Sequence, residues 1–128
     1  MSAGEAPSTL RVLVVDDDPL QLELAERILS RHDCEVYTTS SPSGVSSLAR
    51  EHDPDVVLVD MNLPGLPADR VVEIVRQDTS SRARVVLYSA ADADQLRGLA
   101  ARIAADGWIQ KGLVWSELAD RLRRLCRR

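Results

Sequence analysis

The chain contains a single lysine. Of its 16 Lys and Arg residues the other 15 are arginine, and the exception, Lys111, follows directly on the apolar stretch "GWIQ" (107–110). Phenylalanine is missing, and aromatic residues make up only 3%. Two cysteines, Cys34 and Cys126, form neither a disulfide framework nor a metal pattern and fit a reducing compartment, so a cytoplasmic location is expected. No apolar run approaches the roughly 18 residues of a membrane span, and the N-terminus lacks the basic start and apolar centre of a signal peptide. A basic surplus is missing too. The formal net charge of −4 argues against direct contact with nucleic acid. There is no internal repeat and no linker, and 128 residues suffice for one domain but not for two of usual size.

What is present is an ordinary globular composition, 45% hydrophobic and 28% charged. Residues 1–9, "MSAGEAPST", read as a flexible tail and 10–128 as the domain. Strong apolar runs occupy 10–16 ("LRVLVVD"), 55–60 ("DVVLVD"), 83–89 ("ARVVLYS") and 107–110, with a weaker one, "CEVYTT", at 34–39. The first three strong runs are nearly continuous in Val and Leu, as in strands covered on both faces. Helical spacing fills the intervals. Leu20, Leu24, Ile28 and Leu29 mark a stripe in 19–31, entered by Asp18 as N-cap and Pro19 in the first turn. Further helices are predicted near 42–51, 68–77, 92–105 (with Gly98 at its middle) and from 115 onward. Five β-α alternations call for a doubly wound α/β sandwich with right-handed crossovers. Ligands of such sheets bind beyond the carboxyl ends of the strands.

Those ends carry the chemistry. Asp16, Asp17 and Asp18 close the first strand, Asp60 the third, Ser89 the fourth, and the fifth runs into Lys111. Two carboxylates about 4 Å apart repel by roughly 4 kcal/mol at an effective dielectric of 20. Protonation or a bound cation relieves this, and an all-oxygen set suits Mg2+, which keeps waters and leaves room for phosphate oxygens. A metal beside a third acid, with an ammonium and a hydroxyl, can organise attack on phosphorus. Lysine serves there as a mobile point charge, where arginine would impose a planar fork. Asp18 is explained by its capping role, and His32 and His52 by their places near helix C-termini.

Taken together, "VLVVDDDP", "VVLVDMNLPG", "VVLYSA" and "GWIQK" resemble, in order and spacing, the receiver domain of two-component response regulators over residues 10 to 127. The resemblance implies a (βα)5 flavodoxin-like three-layer sandwich with strand order 2-1-3-4-5. It implies Asp60 as phosphoacceptor from a histidine kinase or histidine phosphotransfer protein. Mg2+ would be held by Asp16, Asp17, Asp60 and the backbone carbonyl of Asn62. Ser89 and Lys111 would read the phosphoryl group, with Ser89 and Trp108 forming the switch. Output to a protein partner is expected through the fourth helix, fifth strand and fifth helix, a face with Trp108 and Trp115, from a monomer or weak dimer. No output module follows the last helix, so the signal is expected to leave through that surface, and its Arg-rich end reads as a solvated helix face.

Three positions depart from the family pattern. Trp108 stands where Tyr or Phe is usual, and is either a swinging ring or a fixed packing residue. Gly112 replaces the proline after the lysine, which favours a trans bond there. Ala68, after Pro67, replaces a glycine at the entry to the third helix. Two other readings compete: a receiver-like interaction module that is never phosphorylated, and a phosphatase of the haloacid dehalogenase type. The second needs a further acidic pair at a later strand end, whereas Glu117 and Asp120 fall inside a helix. A flavodoxin-type flavin site is excluded, because three acids stand where a phosphate-cradling Ser/Thr/Gly loop would be.

Overall fold

The computed structural model describes residues 9–61, 63, 65–78, 83–112 and 115–126. Five strands form one parallel sheet: β1 (Leu10–Val15), β2 (Cys34–Thr39), β3 (Val56–Val59), β4 (Arg84–Ser89) and β5 (Gly107–Gln110), in the order β2-β1-β3-β4-β5. Each is followed by a helix: α1 (Pro19–Leu29), α2 (Pro42–His52), α3 (Ala68–Asp78), α4 (Ala93–Ile103) and α5 (Trp115–Cys126). The expected doubly wound flavodoxin-like sandwich is the observed one.

The continuous apolar runs have the expected cause. β3 is buried at every residue, while the edge strand β2 buries only Cys34 and the other edge, β5, only Ile109. Residues alternate between two cores. Leu13, Val15, Val57, Val59, Val85 and Leu87 meet α2, α3 and α4, whereas Val12, Val14, Val56, Leu58, Val86, Tyr88 and Ile109 meet α1 and α5. This period of two follows from the pleat.

Local signals fix the helix starts. The Asp18 carboxylate accepts from Leu20 N–H, Ser41 from Gly44 N–H and Asp92 from Gln95 N–H. The α1 stripe differs from the sequence expectation. Leu20 is 62% exposed; Leu29 of the expected stripe is buried, and the helix packs through it together with Leu22 and Ala25. Its first turn lies level with the strand ends, where no sheet remains to cover Leu20. α1 also ends at Leu29, and residues 30–32 tighten into a 3₁₀ turn. Gly98 does not interrupt α4.

One glycine is needed for space. A Cβ on Gly44 would lie 1.9 Å from Thr39 Oγ1 and 2.8 Å from its Cβ, so the first turn of α2 packs against β2 only because that atom is missing. Gly44→Ala is therefore expected to lower stability by about 1–3 kcal/mol, measured by urea denaturation. An unchanged midpoint would mean that the two elements part at no cost.

Candidate functional site

Strand register brings the acids together. Val15 of β1 is level with Val59 of β3, so Asp16 and Asp60, each one residue further on, leave the sheet side by side. The Asp60 N–H donates to the Val15 carbonyl at 3.1 Å, extending that ladder by one bond. On the other side Ser89 is level with Gln110, and the Lys111 N–H donates to the Ser89 carbonyl at 2.8 Å. Lys111 thus starts one residue beyond the sheet, and by alternation it shares the α1/α5 face with Ile109.

Its side chain turns back over the strand ends. The Nζ donates to Asp60 Oδ2 at 3.2 Å and lies 3.7 Å from Asp16 Oδ2. Asp16 is only 4% exposed, and its Oδ1 accepts from Asp18 N–H at 3.1 Å. Burial pushes the Asp16 carboxyl above its ordinary pKa; the Asp18 N–H and Lys111 pull it back, while the charges of Asp60 and Asp17 push it further up. For Lys111, burial acts to lower the pKa but is outweighed by the charge and hydrogen bond of Asp60, then by Asp16 and Tyr88, so the ammonium is held above its usual value.

The remaining expected residues sit around this trio. Asp17 is exposed beside Asp16. Ser89 is buried to 1% exposure, and its Oγ accepts from Ala91 N–H at 3.2 Å. Trp108 is half-buried on the opposite, α4-facing core, with the Arg97 guanidinium 5.3 Å from its ring centroid. Asn62 lies outside the described residues. Gly112 follows Lys111 at φ +123°, and no peptide bond among the described residues is cis.

Two contributors went unrecognised in the sequence. Tyr88 places its ring 5.3 Å from Lys111 Nζ, and Gln110 Nε2 donates to the Ala91 carbonyl at 3.1 Å, tying β5 to the loop after β4. Strand alternation beside Ser89 was the available signal for Tyr88, but only the register shows that this face meets the lysine.

Among the described residues, no three His, Cys, Asp or Glu side chains stand arranged to hold a metal ion. The donor chemistry nevertheless suits a hard divalent cation: two carboxylates share one ammonium, and a third, Asp17, follows Asp16 in the chain. Near Lys111, a groove of about 410 Å³ is lined by Ala93, Trp108, Gln110, Lys111, Gly112 and Arg121.

The match to the family model described as "Response regulator receiver domain" spans residues 12–123. The chain belongs to this family. It is 34% identical over 119 residues to the probable transcriptional regulatory protein TcrX of Mycobacterium tuberculosis, covering 91% of this chain and 50% of that one. It is 35% identical over 119 residues to the transcriptional regulatory protein PrrA of Mycobacterium bovis, with 92% and 50% covered. The chain thus spans about half the length of these curated relatives. The fold matches the chemotaxis protein CheY4 of Vibrio cholerae with a TM-score of 0.82 at 22% identity, covering 92% of this chain and 99% of that one. It also matches the signal receiver domain of the putative response regulator NarL from Mycobacterium tuberculosis, with a TM-score of 0.79 at 28% identity and coverage of 94% and 98%.

A raised Asp16 pKa means that the folded receiver holds this proton more tightly than the unfolded chain does. Its contribution to stability is present at low pH and lost as pH rises through the folded value. Asp16→Asn keeps an acceptor for Asp18 N–H and removes the buried charge. It is expected to raise the melting temperature at pH 7 by about 3 °C in metal-free buffer, read by circular dichroism. A lower melting temperature would show that the Lys111 pairing outweighs the burial.

Proposed function

We propose that this receiver accepts a phosphoryl group on Asp60, from a phosphohistidine of a kinase or phosphotransfer protein, and signals through an altered surface. The observation that carries the reading is the Lys111 ammonium, within 4.0 Å of both the Asp60 and Asp16 carboxylates at the carboxyl edge of the sheet. Attack by an Asp60 oxygen on phosphorus forms the acyl phosphate O–P bond and breaks the P–N bond of the donor, whose imidazole leaves with its electron pair and takes a proton. Asp60 suits the role because its carboxylate is partly exposed at the sheet edge while its backbone N–H is held by the ladder. Lys111 offsets charge on the phosphoryl oxygens, and Ser89 supplies a hydroxyl on the same rim once its bond to Ala91 is exchanged.

Asp16, Asp17, Asp60 and the Asn62 carbonyl would hold Mg2+, which when bound neutralises charge on the phosphoryl group. Asp16 binds in its ionised form, so the ion would also relieve the burial that raises its pKa. Trp108 and Ser89 are read as the switch, and the groove beside them as part of the α4–β5–α5 face offered to a protein partner. Residues 10–128 would form the receiver and 1–9 a tail, in a cytoplasmic monomer or weak dimer. Two relatives carry names that refer to transcriptional regulation. Contact with nucleic acid is not assigned to the receiver itself, given its net charge of −4.

Incubation with acetyl phosphate and Mg2+ is expected to add the mass of one phosphoryl group to the wild-type chain, and none to Asp60→Asn or to wild type in chelator. A wild-type chain that never takes the label would favour a docking module without chemistry, a reading to which Trp108 and Gly112 give a basis. Steady release of phosphate from a phosphomonoester would point to a phosphatase instead. Lys111→Arg keeps the charge but replaces a point donor by a fork. It is expected to slow labelling by about tenfold, followed by mass spectrometry over time; labelling at the wild-type rate would remove the special role given to lysine.

A further inference from the structure

We propose that Tyr88 is a positioning residue for phosphoryl transfer: its ring is the fixed seat of the Lys111 ammonium. The inference rests on the phosphoacceptor reading above and adds the residue that aims the lysine. Tyr88 is the penultimate residue of β4, 8% exposed, and packs in the α1/α5 core with Val86, Ile109 and Leu118. The Lys111 Nζ lies over its ring, 5.3 Å from the centroid, while reaching Asp60 and Asp16 on its other sides. A cation over an aromatic face is attracted by the ring quadrupole, most strongly where water is excluded.

The three partners are not equivalent. Asp60 changes identity during the reaction, since esterification of its carboxylate by phosphorus removes the charge that now holds the ammonium. Asp16 is the proposed partner of a divalent cation. The ring alone offers the same contact before, during and after transfer. It therefore restrains a flexible four-carbon stem while the ammonium passes from the Asp60 carboxylate to a phosphoryl oxygen.

The ladder bond to Ser89 holds the Lys111 backbone on its N-terminal side, but the chain after it supplies little restraint. Gly112, next in the chain, is exposed at φ +123°, with nothing within 4 Å of where a Cβ would be. A proline there would fix its own φ and restrict Lys111 as well; glycine does neither. In this chain the side-chain seat takes over part of the aiming.

The single lysine makes the test direct. Lysine-selective 13C labelling of the full chain gives one set of side-chain signals, and in wild type the Hε protons are expected upfield of their random-coil position through the ring current of Tyr88. Tyr88→Phe should keep that shift and label with acetyl phosphate within about twofold of wild type, because the ring face is retained. Tyr88→Leu should lose the shift and label about three- to ten-fold more slowly. Tyr88→Met, which fills the space with a flexible apolar chain, is the second ring-free variant should the leucine form fold poorly, and should behave like it. An Hε position at the random-coil value in wild type, or ring-free variants that label at the wild-type rate, would overturn the proposal. If wild type takes no label while its lysine keeps the ring shift, the phosphoacceptor reading fails, and with it the role in transfer, though the seat itself stands.

Discussion

A nearly buried carboxylate must find a counter-charge, and the active edge of this receiver is organised around that need. Asp16 lies where water is largely excluded, and taking an isolated ionised carboxylate out of water is costly. The fold answers with one backbone N–H, from Asp18, and one ammonium, from Lys111, reached from the far end of the chain. Because the same ammonium also serves Asp60, the two acids and the lysine form one electrostatic unit. A change in the charge on any member is felt by the others. That coupling, more than any single contact, ties the charge states of the three residues together.

The sheet divides this chemistry between its faces. Strand alternation gives Asp16, Asp60, Tyr88 and Lys111 to the side covered by α1 and α5, and Ser89 and Trp108 to the side covered by α2, α3 and α4. Yet Ser89 and Lys111 are joined through the backbone bond between β4 and β5. A rearrangement of charge on one face can therefore pull on the strand pair that carries the aromatic residue of the other. The link is short, a single hydrogen bond of 2.8 Å.

Much of this was legible in the sequence because the physics is local. Continuous Val and Leu runs mark strands covered on both sides, and Asp18, Ser41 and Asp92 act on N–H groups two or three residues away. The strand-end acids and Lys111 could be gathered because a parallel sheet sends its carboxyl ends to one rim. What depends on register or distant pairing was not legible. The role of Tyr88 needs β4 and β5 in register, and the packing stripe of α1 depends on where the sheet ends beneath it. Asp106 accepts from the Val85 N–H and from Arg76 and lies 3.9 Å from Arg84. This clamp at the opposite edge unites residues more than twenty positions apart, and no periodic pattern announces it.

The stack of Arg97 on Trp108 has a thermodynamic implication of its own. Arg97 is held from the other side by Asp94 at 2.8 Å, so the indole carries a cation tethered to the first turns of α4. Any reorientation of the ring must shed that cation, a loss of about 0.5–1 kcal/mol at an exposed position. Two ring orientations otherwise equal in free energy would then be populated in a ratio of about two to five in favour of the observed one. Helix α4 thereby acts as a light ballast, biasing the resting population of a residue whose strand it merely flanks.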